Sequence, residues 1–352
     1  MQEELRAVMS VVSALPATMA AVTQQRYGPP QVLRLSTVNR PVPRPDEVLL
    51  AVHAAGVSRG VWHMTTGRPR LVRLIGGVRR PRQATPGMDV CGHVVQVGSG
   101  VSSLRVGQRV FGIARGSFAE YAVAKAKHLS EAPKELTDCE AAVLAESGLT
   151  ALQALDAAGV GTSTKPGCRI LVIGASGGVG SFAVALSALR GAVITGVCSA
   201  DKAGFVRDLG AQRVLDYRRV DPLAEGARYD VILDVAGGRK LSALRSALSS
   251  RGTLVFVGNE SGGPWTGGYG RPFAYQVRMA LRRQRFVNLL VRTDAADLAR
   301  LADHARDDGL RPRMHATFPL ADACRALQEL SSGAAAGKIA VQINHPEQEP
   351  LA

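Results

Sequence analysis

Two stretches of this 352-residue chain carry residue types and spacings that could do chemistry. In "PGMDVCGHVVQVG" (86–98), Cys91 and His93 stand two apart on an apolar run. Period-two spacing aims both at one face of a strand, and both are metal-ligand types. On the residues alone the pair is either half of a metal site or part of an ordinary strand. In "ILVIGASGGVGSFAVALSALRGAVITGVC" (170–198), an apolar strand ends at Gly174. Ser176, Gly177, Gly178, Val179 and Gly180 then form a tight turn that opens an apolar helix. Missing Cβ atoms let such a backbone approach a pyrophosphate, and the first N–H groups and dipole of the helix attract it. Glycines alone say little, but strand, turn, helix and next strand at this spacing predict a dinucleotide site.

The end of the second strand indicates which dinucleotide. A site for NAD usually carries Asp or Glu there, to hold the ribose hydroxyls. This strand ends at Cys198 and Ser199, with Lys202 three residues on. A hydroxyl and an ammonium suit a 2′-phosphate, which an acid would repel. One charge-assisted hydrogen bond contributes about 1.5–3 kcal/mol, roughly a 10- to 150-fold preference. Asp201 works against the phosphate if it faces the same point. Tyr217, ending the third strand, can flank the adenosine. NADPH is the predicted cofactor.

These residues need elements to hold them. The first third reads as short strands, "EVLLAVHAAGV" (47–57), "VCGHVVQVG" (90–98), "RVFGI" (109–113) and "FAEYAVA" (118–124), separated by Pro, Gly and Asp turns. From about 137 the chain is Ala- and Leu-rich. Thr137 or Asp138 can cap a helix with Glu140 in its first turn, and a second helix is predicted after Gly148. Residues 169–257 alternate Val/Ile/Leu strands with helices near 178–190, 201–209 and 239–249. That alternation predicts an α/β fold whose parallel sheet is covered on both faces. "RFVNLLV" (285–291) is a further strand, followed by a helix over 294–307.

The composition narrows the function classes. A chain this long is expected to form two domains, and no apolar run approaches the roughly 20 residues that cross a bilayer. Residues 1–18 are weakly apolar and begin with acids, which suits a frayed tail better than a secretory signal. Five cysteines with no C-x-x-C pair fit a reducing, cytoplasmic setting. The net charge of +14 comes mainly from arginine, since only seven of 43 basic residues are lysine. Arginine is dense in "RPRLVRLIGGVRRPR" (68–82) and "RPFAYQVRMALRRQR" (271–285). Neither carries a nucleic-acid or membrane motif, so both read as solvated faces around an anionic cofactor site, with neither nucleic acid nor membrane as a partner.

With these motifs assembled, the chain resembles the medium-chain dehydrogenase/reductase superfamily, and within it the zinc-independent quinone oxidoreductase branch (zeta-crystallin-like), in the subgroup related to reticulon-4-interacting protein. The resemblance runs from about Met19 to Ile343. It is carried by "YGPPQVLRL" (27–35), "RPVPRPDEVLLAVHAAGV" (40–57), "PGMDVCGHVVQVGSGV" (86–101), "GSFAEYAVA" (116–124), "ESGLTALQAL" (146–155), "VIGASGGVGSFAVA" (172–185), "LGAQRVLDY" (209–217) and "GKIAV" (337–341). It implies a GroES-like, partly open β-barrel lobe over 19–148, completed by 292–352, and a Rossmann lobe with a doubly wound parallel sheet over 149–291. By motif, Thr150 and Gly258 would lie by the nicotinamide and Lys338 near the cofactor phosphates. A homodimer through "RFVNLLV" is also implied.

Zinc-dependent relatives carry metal ligands at the positions of Ser58, Met88 and Glu146. Zn²⁺ needs three or four converging N, S or O ligands, and this is a poor set, so no metal is expected. Met88, beside Cys91 and His93, occupies the ligand position; the Cys-x-His pair reads as structural. Without a Lewis acid the easier reaction is hydride delivery to a quinone or an activated enone. In "VSRGVWHM" (57–64), Ser58 can orient a carbonyl. His63 stands where the branch often has tyrosine, and can either donate a proton or merely line the pocket. The branch's Asn-x-x-Asp/Glu-x-Tyr-like pattern is lost here, and solvent can supply the proton instead. Segment 68–82 follows and can cover the acceptor, its arginines suiting an acidic or phosphate-bearing one. An enoyl reductase of a polyketide or acyl pathway, and a low-turnover NADPH-binding protein, are the alternatives.

Overall fold

A computed structural model describes residues 15–161, 167–223, 226, 228–258, 265 and 283–345. Most of the arginine-rich stretch 271–285 lies outside the described residues, as does most of the tail 1–18.

Six parallel strands form one sheet, in the order Arg213–Asp216, Val193–Cys198, Arg169–Ile173, Tyr229–Asp234, Leu248–Phe256, Arg285–Asn288. Counted along the chain this is 3-2-1-4-5-6, the doubly wound arrangement whose ligand crevice lies at the carboxyl ends beside the first strand. The strands are the continuous apolar runs seen in the sequence. Helix Gly178–Leu189 covers one face through the buried Phe182, Val184 and Leu186. Helix Leu241–Ser246 is shorter than the 239–249 expected, because Leu248 already pairs with Tyr229 in the sheet. Arg285–Asn288 is the edge strand, so the run 285–291 yields fewer strand residues than expected.

A second sheet has the order Met314–Pro319, Lys338–Gln342, Glu47–Val57, Asp89–Val97, Arg109–Ile113, Leu129–Glu131, with Tyr121–Lys125 also pairing Glu47–Val57. The C-terminal strand is thus inserted into the N-terminal sheet, Ile339 opposite Val57 and Val341 opposite Ala55. This is the partly open barrel lobe, assembled from both ends of the chain.

Between the two sheets runs helix Asp138–Ala157, opened by a capping box in which Thr137 and Glu140 satisfy each other's backbone N–H. It is a single helix; the break expected after Gly148 does not occur. Gly148 has a packing role instead: a Cβ there would meet Leu301 Cδ1 at 3.1 Å, on helix Ala295–Asp307. Buried side chains leave the helix on all sides, including Val143, Leu144, Leu149, Leu152 and Leu155. That all-round apolarity is what a helix between two layers requires.

The helix start is fastened to the barrel lobe. Arg109 donates Nε to Asp138 Oδ1 at 2.8 Å, Nη1 to the Pro133 carbonyl at 2.9 Å and Nη2 to the Leu136 carbonyl at 2.9 Å. Cys91 and His93 share a face, as their spacing predicts, and both serve this fastening. Cys91 Sγ donates to Asp138 Oδ1 at 3.4 Å. His93 Nδ1 lies 3.3 Å from His53 Nε2, and His53 Nδ1 lies 3.4 Å from Asp138 Oδ2. These contacts, the His53 hydrogen bond foremost and then Arg109, hold the Asp138 carboxyl well below its usual range despite burial. A depressed carboxylate stabilises the fold above its unfolded value of about 4, and the contribution is lost as pH falls below that. Arg109→Ala is expected to lower unfolding free energy at pH 7 by about 2–3 kcal/mol. The deficit, read by urea denaturation, should shrink as pH falls below about 4.

Candidate active site

A cleft of about 660 Å³ opens between the carboxyl ends of the parallel strands and the barrel lobe. Gly174, Ser176, Gly177, Gly178 and Val179 form one wall, and Ser199, Lys202 and Tyr217 continue it. Ser58, Glu146 and Lys338 face them from the other side. The turn must be glycine for steric reasons. Gly174 has φ +88°, and a Cβ on Gly180 would sit 2.0 Å from the Gly174 carbonyl oxygen. Gly177, the helix N-cap, brings no side chain to the first N–H groups, which leaves them for an anion.

Lys202 donates Nζ to the carbonyls of Gly333 and Ala335 at 2.6 and 2.9 Å, so it also ties the parallel-sheet lobe to the loop after helix Ala323–Ser332. Arg218, which sequence reasoning missed, is on the wall beside Tyr217, its guanidinium 5.7 Å from the ring centroid. Asp201 shares this corner, 4.0 Å from Arg218 Nη1. The Ser199 hydroxyl first, and the Lys202 and Arg218 charges after it, hold the Asp201 carboxyl below its usual range. Its charge is therefore balanced by two cations. Arg218 carries no motif and was findable only as the residue after a strand-terminal tyrosine.

Lys338 is buried at 2% exposure. Its Nζ donates to Ser147 Oγ at 2.8 Å and lies 3.9 Å from Asp89 Oδ2. It rests against the glycine turn: a Cβ on Gly178 would meet Lys338 Cδ at 3.2 Å. Ser58 Oγ accepts the Val61 N–H at 3.3 Å and caps helix Arg59–Thr66. Met88 and Glu146 crowd the same helix start, since a Cβ on Gly60 would meet Glu146 Oε1 at 2.6 Å and Met88 Cε at 2.8 Å.

Three expected residues are not on the cleft wall. Thr150 is buried and donates Oγ1 to the Glu146 carbonyl at 2.7 Å. Gly258 follows strand Leu248–Phe256 and packs toward the Val235 carbonyl. His63 turns away, its Nδ1 2.6 Å from the Arg68 carbonyl and its ring edge-on to Trp62. Nor does any residue of 68–82 reach the wall. There Arg70 stacks on Trp265 and Arg73 on Tyr27.

A doubly wound sheet facing a barrel lobe across a glycine-turn cleft defines a two-lobed, dinucleotide-binding oxidoreductase. Comparison with known proteins gives the family. The family model described as alcohol dehydrogenase GroES-like domain matches residues 44–134, and that described as zinc-binding dehydrogenase matches 209–341. The chloroplast envelope quinone oxidoreductase homolog of Arabidopsis thaliana is 33% identical over 317 residues, 86% of this chain and 91% of that protein. The mitochondrial NAD(P)H oxidoreductase RTN4IP1 of Mus musculus is 36% identical over 65% of this chain and 62% of its own length. The trans-enoyl reductase pgmF of Aspergillus terreus is 29% identical over 95% and 99%. Among solved structures, the quinone oxidoreductase of Coxiella burnetii superimposes with TM-score 0.79 at 28% identity, over 93% of this chain and all of that one. Mycobacterial Rv1454c, solved with NADPH, gives 0.74 at 26% identity over 92% and 99%. The chain belongs to the medium-chain dehydrogenase/reductase superfamily, among its quinone oxidoreductases. Among the described residues no helix is long and apolar enough to cross a membrane.

Gly180→Ala is expected to abolish NAD(P)H binding, measured by fluorescence titration, while circular dichroism reports a retained fold.

Proposed function

We propose that this protein transfers hydride from NADPH to a quinone or an activated α,β-unsaturated carbonyl without a metal ion. The observation that carries the reading is the cleft itself, with a glycine turn on one side and Ser58, Met88 and Glu146 on the other. Those three side chains do not fit Zn²⁺. The Ser58 hydroxyl is committed as a helix cap, Met88 offers a thioether, and one carboxylate does not complete a set of three or four. No step is therefore routed through a metal.

The cradle fits a dinucleotide. The Gly177–Gly178 backbone would hold the pyrophosphate, with Lys338 behind it. Ser199, Lys202 and Arg218 would hold the 2′-phosphate, and Tyr217 would flank the adenosine. NADPH bound there supplies the hydride. The protein's part is to hold the acceptor between the turn and the Ser58–Glu146 wall, exclude water, and supply a proton where the product needs one. The quinone oxidoreductases among the relatives support the first acceptor class. The trans-enoyl reductase, matched over nearly its whole length, favours an enoyl substrate as the second reading.

NADPH oxidation should proceed with 9,10-phenanthrenequinone, 1,4-naphthoquinone or an α,β-unsaturated ketone, and 1,10-phenanthroline should not slow it. Tight NADPH binding with no turnover on any acceptor would instead mark a cofactor-binding protein. Lys202→Ala should raise the KM for NADPH roughly 10- to 150-fold and leave that for NADH little changed; equal effects on both would overturn the NADPH assignment.

A further inference from the structure

Neither sequence candidate is placed to give the proton: His63 is off the cleft wall with its Nδ1 at the Arg68 carbonyl, and Ser58 caps a helix. Two carboxyls meet this need. Glu146 is on the cleft wall, one helical turn before Thr150, and its Oε2 is buried with no hydrogen-bond partner. Behind it, Asp89 is completely buried. Its Oδ1 accepts the Glu146 backbone N–H at 3.0 Å, and its Oδ2 is buried without a hydrogen-bond partner. Two glycines make room for the two groups. A Cβ on Gly56 would fall 2.5 Å from Asp89 Oδ2, and one on Gly60 would fall 2.6 Å from Glu146 Oε1.

Neighbouring buried acceptor oxygens cannot satisfy each other while both groups are ionised. A proton on one of the two spares a buried charge and removes a like-charge repulsion. Among the described residues the charged groups around the pair are few. Lys338 Nζ, on the C-terminal strand, lies 3.9 Å from Asp89 Oδ2 but donates to Ser147. Arg59 lines the cleft at the start of its helix.

We propose that Glu146 is the proton donor to the hydride acceptor, and that Asp89 behind it is the proton store that recharges Glu146. The assignment rests on the hydride-transfer reading. Hydride forms the new C–H bond at the β-carbon of an enone, and the C=C electron pair moves toward the carbonyl. The proton held by Asp89 moves to the Glu146 carboxylate, and the Glu146 O–H bond so formed breaks as that proton goes to the α-carbon. Both carboxyls are then ionised, and solvent reprotonates the pair through Glu146, its member on the cleft wall, after product leaves. Burial, and next the Glu146 charge, push the Asp89 carboxyl up to about 7 against the opposing pull of Lys338, so Asp89 keeps its proton above the ordinary carboxyl range. A quinone needs less help, because its reduced oxygen is protonated directly by water.

The test is enone reduction in D₂O, reading kcat and the configuration of the deuterium at the α-carbon. Wild type should give one configuration, and its enone kcat should fall as pH rises above about 7. Glu146→Gln should lose roughly 10²-fold or more in enone kcat and give mixed configurations. Its enone kcat should fall by a larger factor than its 9,10-phenanthrenequinone kcat. Glu146→Asp should restore part of the single configuration, which a structural role would not do. Asp89→Asn, which still accepts the Glu146 N–H, should lose the limb near pH 7. A Glu146→Gln enzyme that keeps one α-configuration, or loses both reactions equally, overturns the assignment. So does a wild type that reduces quinones but no enone. A wild type inactive on every acceptor overturns the hydride-transfer reading itself.

Discussion

The buried ammonium of Lys338 joins three parts of the chain that are distant in sequence. It comes from the C-terminal strand, donates to Ser147 on the helix between the sheets, and sits within ion-pair range of Asp89 on the strand that follows Met88. It also rests against Gly178 at the mouth of the dinucleotide turn. A charge removed from water needs partners of opposite charge or hydrogen-bonding capacity, and losing one is costly. The C-terminal strand, the helix and the first wall of the cleft are therefore held to one relative placement. The antiparallel register of Ile339 with Val57 agrees with it.

From that junction the electrostatics of the cleft follow. The helix Asp138–Ala157 presents Glu146 and Ser147 to the cleft, while Thr150, one turn on, is covered. Cations gather where the second and third strands end, at Lys202 and Arg218 with Asp201 among them, and Glu146 stands on the opposite wall. The arginine-dense segment 68–82 is not what shapes this site, although Arg59, Arg218 and Arg239 are on the cleft wall. Segment 68–82 stays off the wall, with Leu74, Ile75 and Val78 exposed between its arginines. The expected role of that segment over the acceptor has no support in its placement.

Local signals were legible where one interaction dominates. The glycine turn is forced by contacts within a few residues, such as Gly180 against the Gly174 carbonyl, so its spacing appears directly in the sequence. The Thr137–Glu140 capping box is legible for the same reason. The misreadings fall where a distant partner decides. By type Gly148 reads as a break, because glycine disfavours helix, yet Leu301 packs close against it. His63 is a nearer case: its Nδ1 lies 2.6 Å from the Arg68 carbonyl, a contact within one loop that residue type does not record.

The sequence by itself determined the alternating strands and helices of the parallel sheet, the glycine turn, and the lysine that follows the second strand; the barrel lobe and the poor ligand set at Ser58, Met88 and Glu146 came from the resemblance to the superfamily. The first three depend on residue type and short-range spacing, which chain chemistry makes explicit. Only the tertiary structure decided that Arg218 joins the basic corner, that Cys91 and His93 fasten a helix, and that Asp89 lies behind Glu146. Those outcomes depend on burial and on contacts across 40 residues or more, or around the turn of a loop. Burial also sets which carboxyl keeps its proton, and no local pattern records how much water a folded chain will exclude.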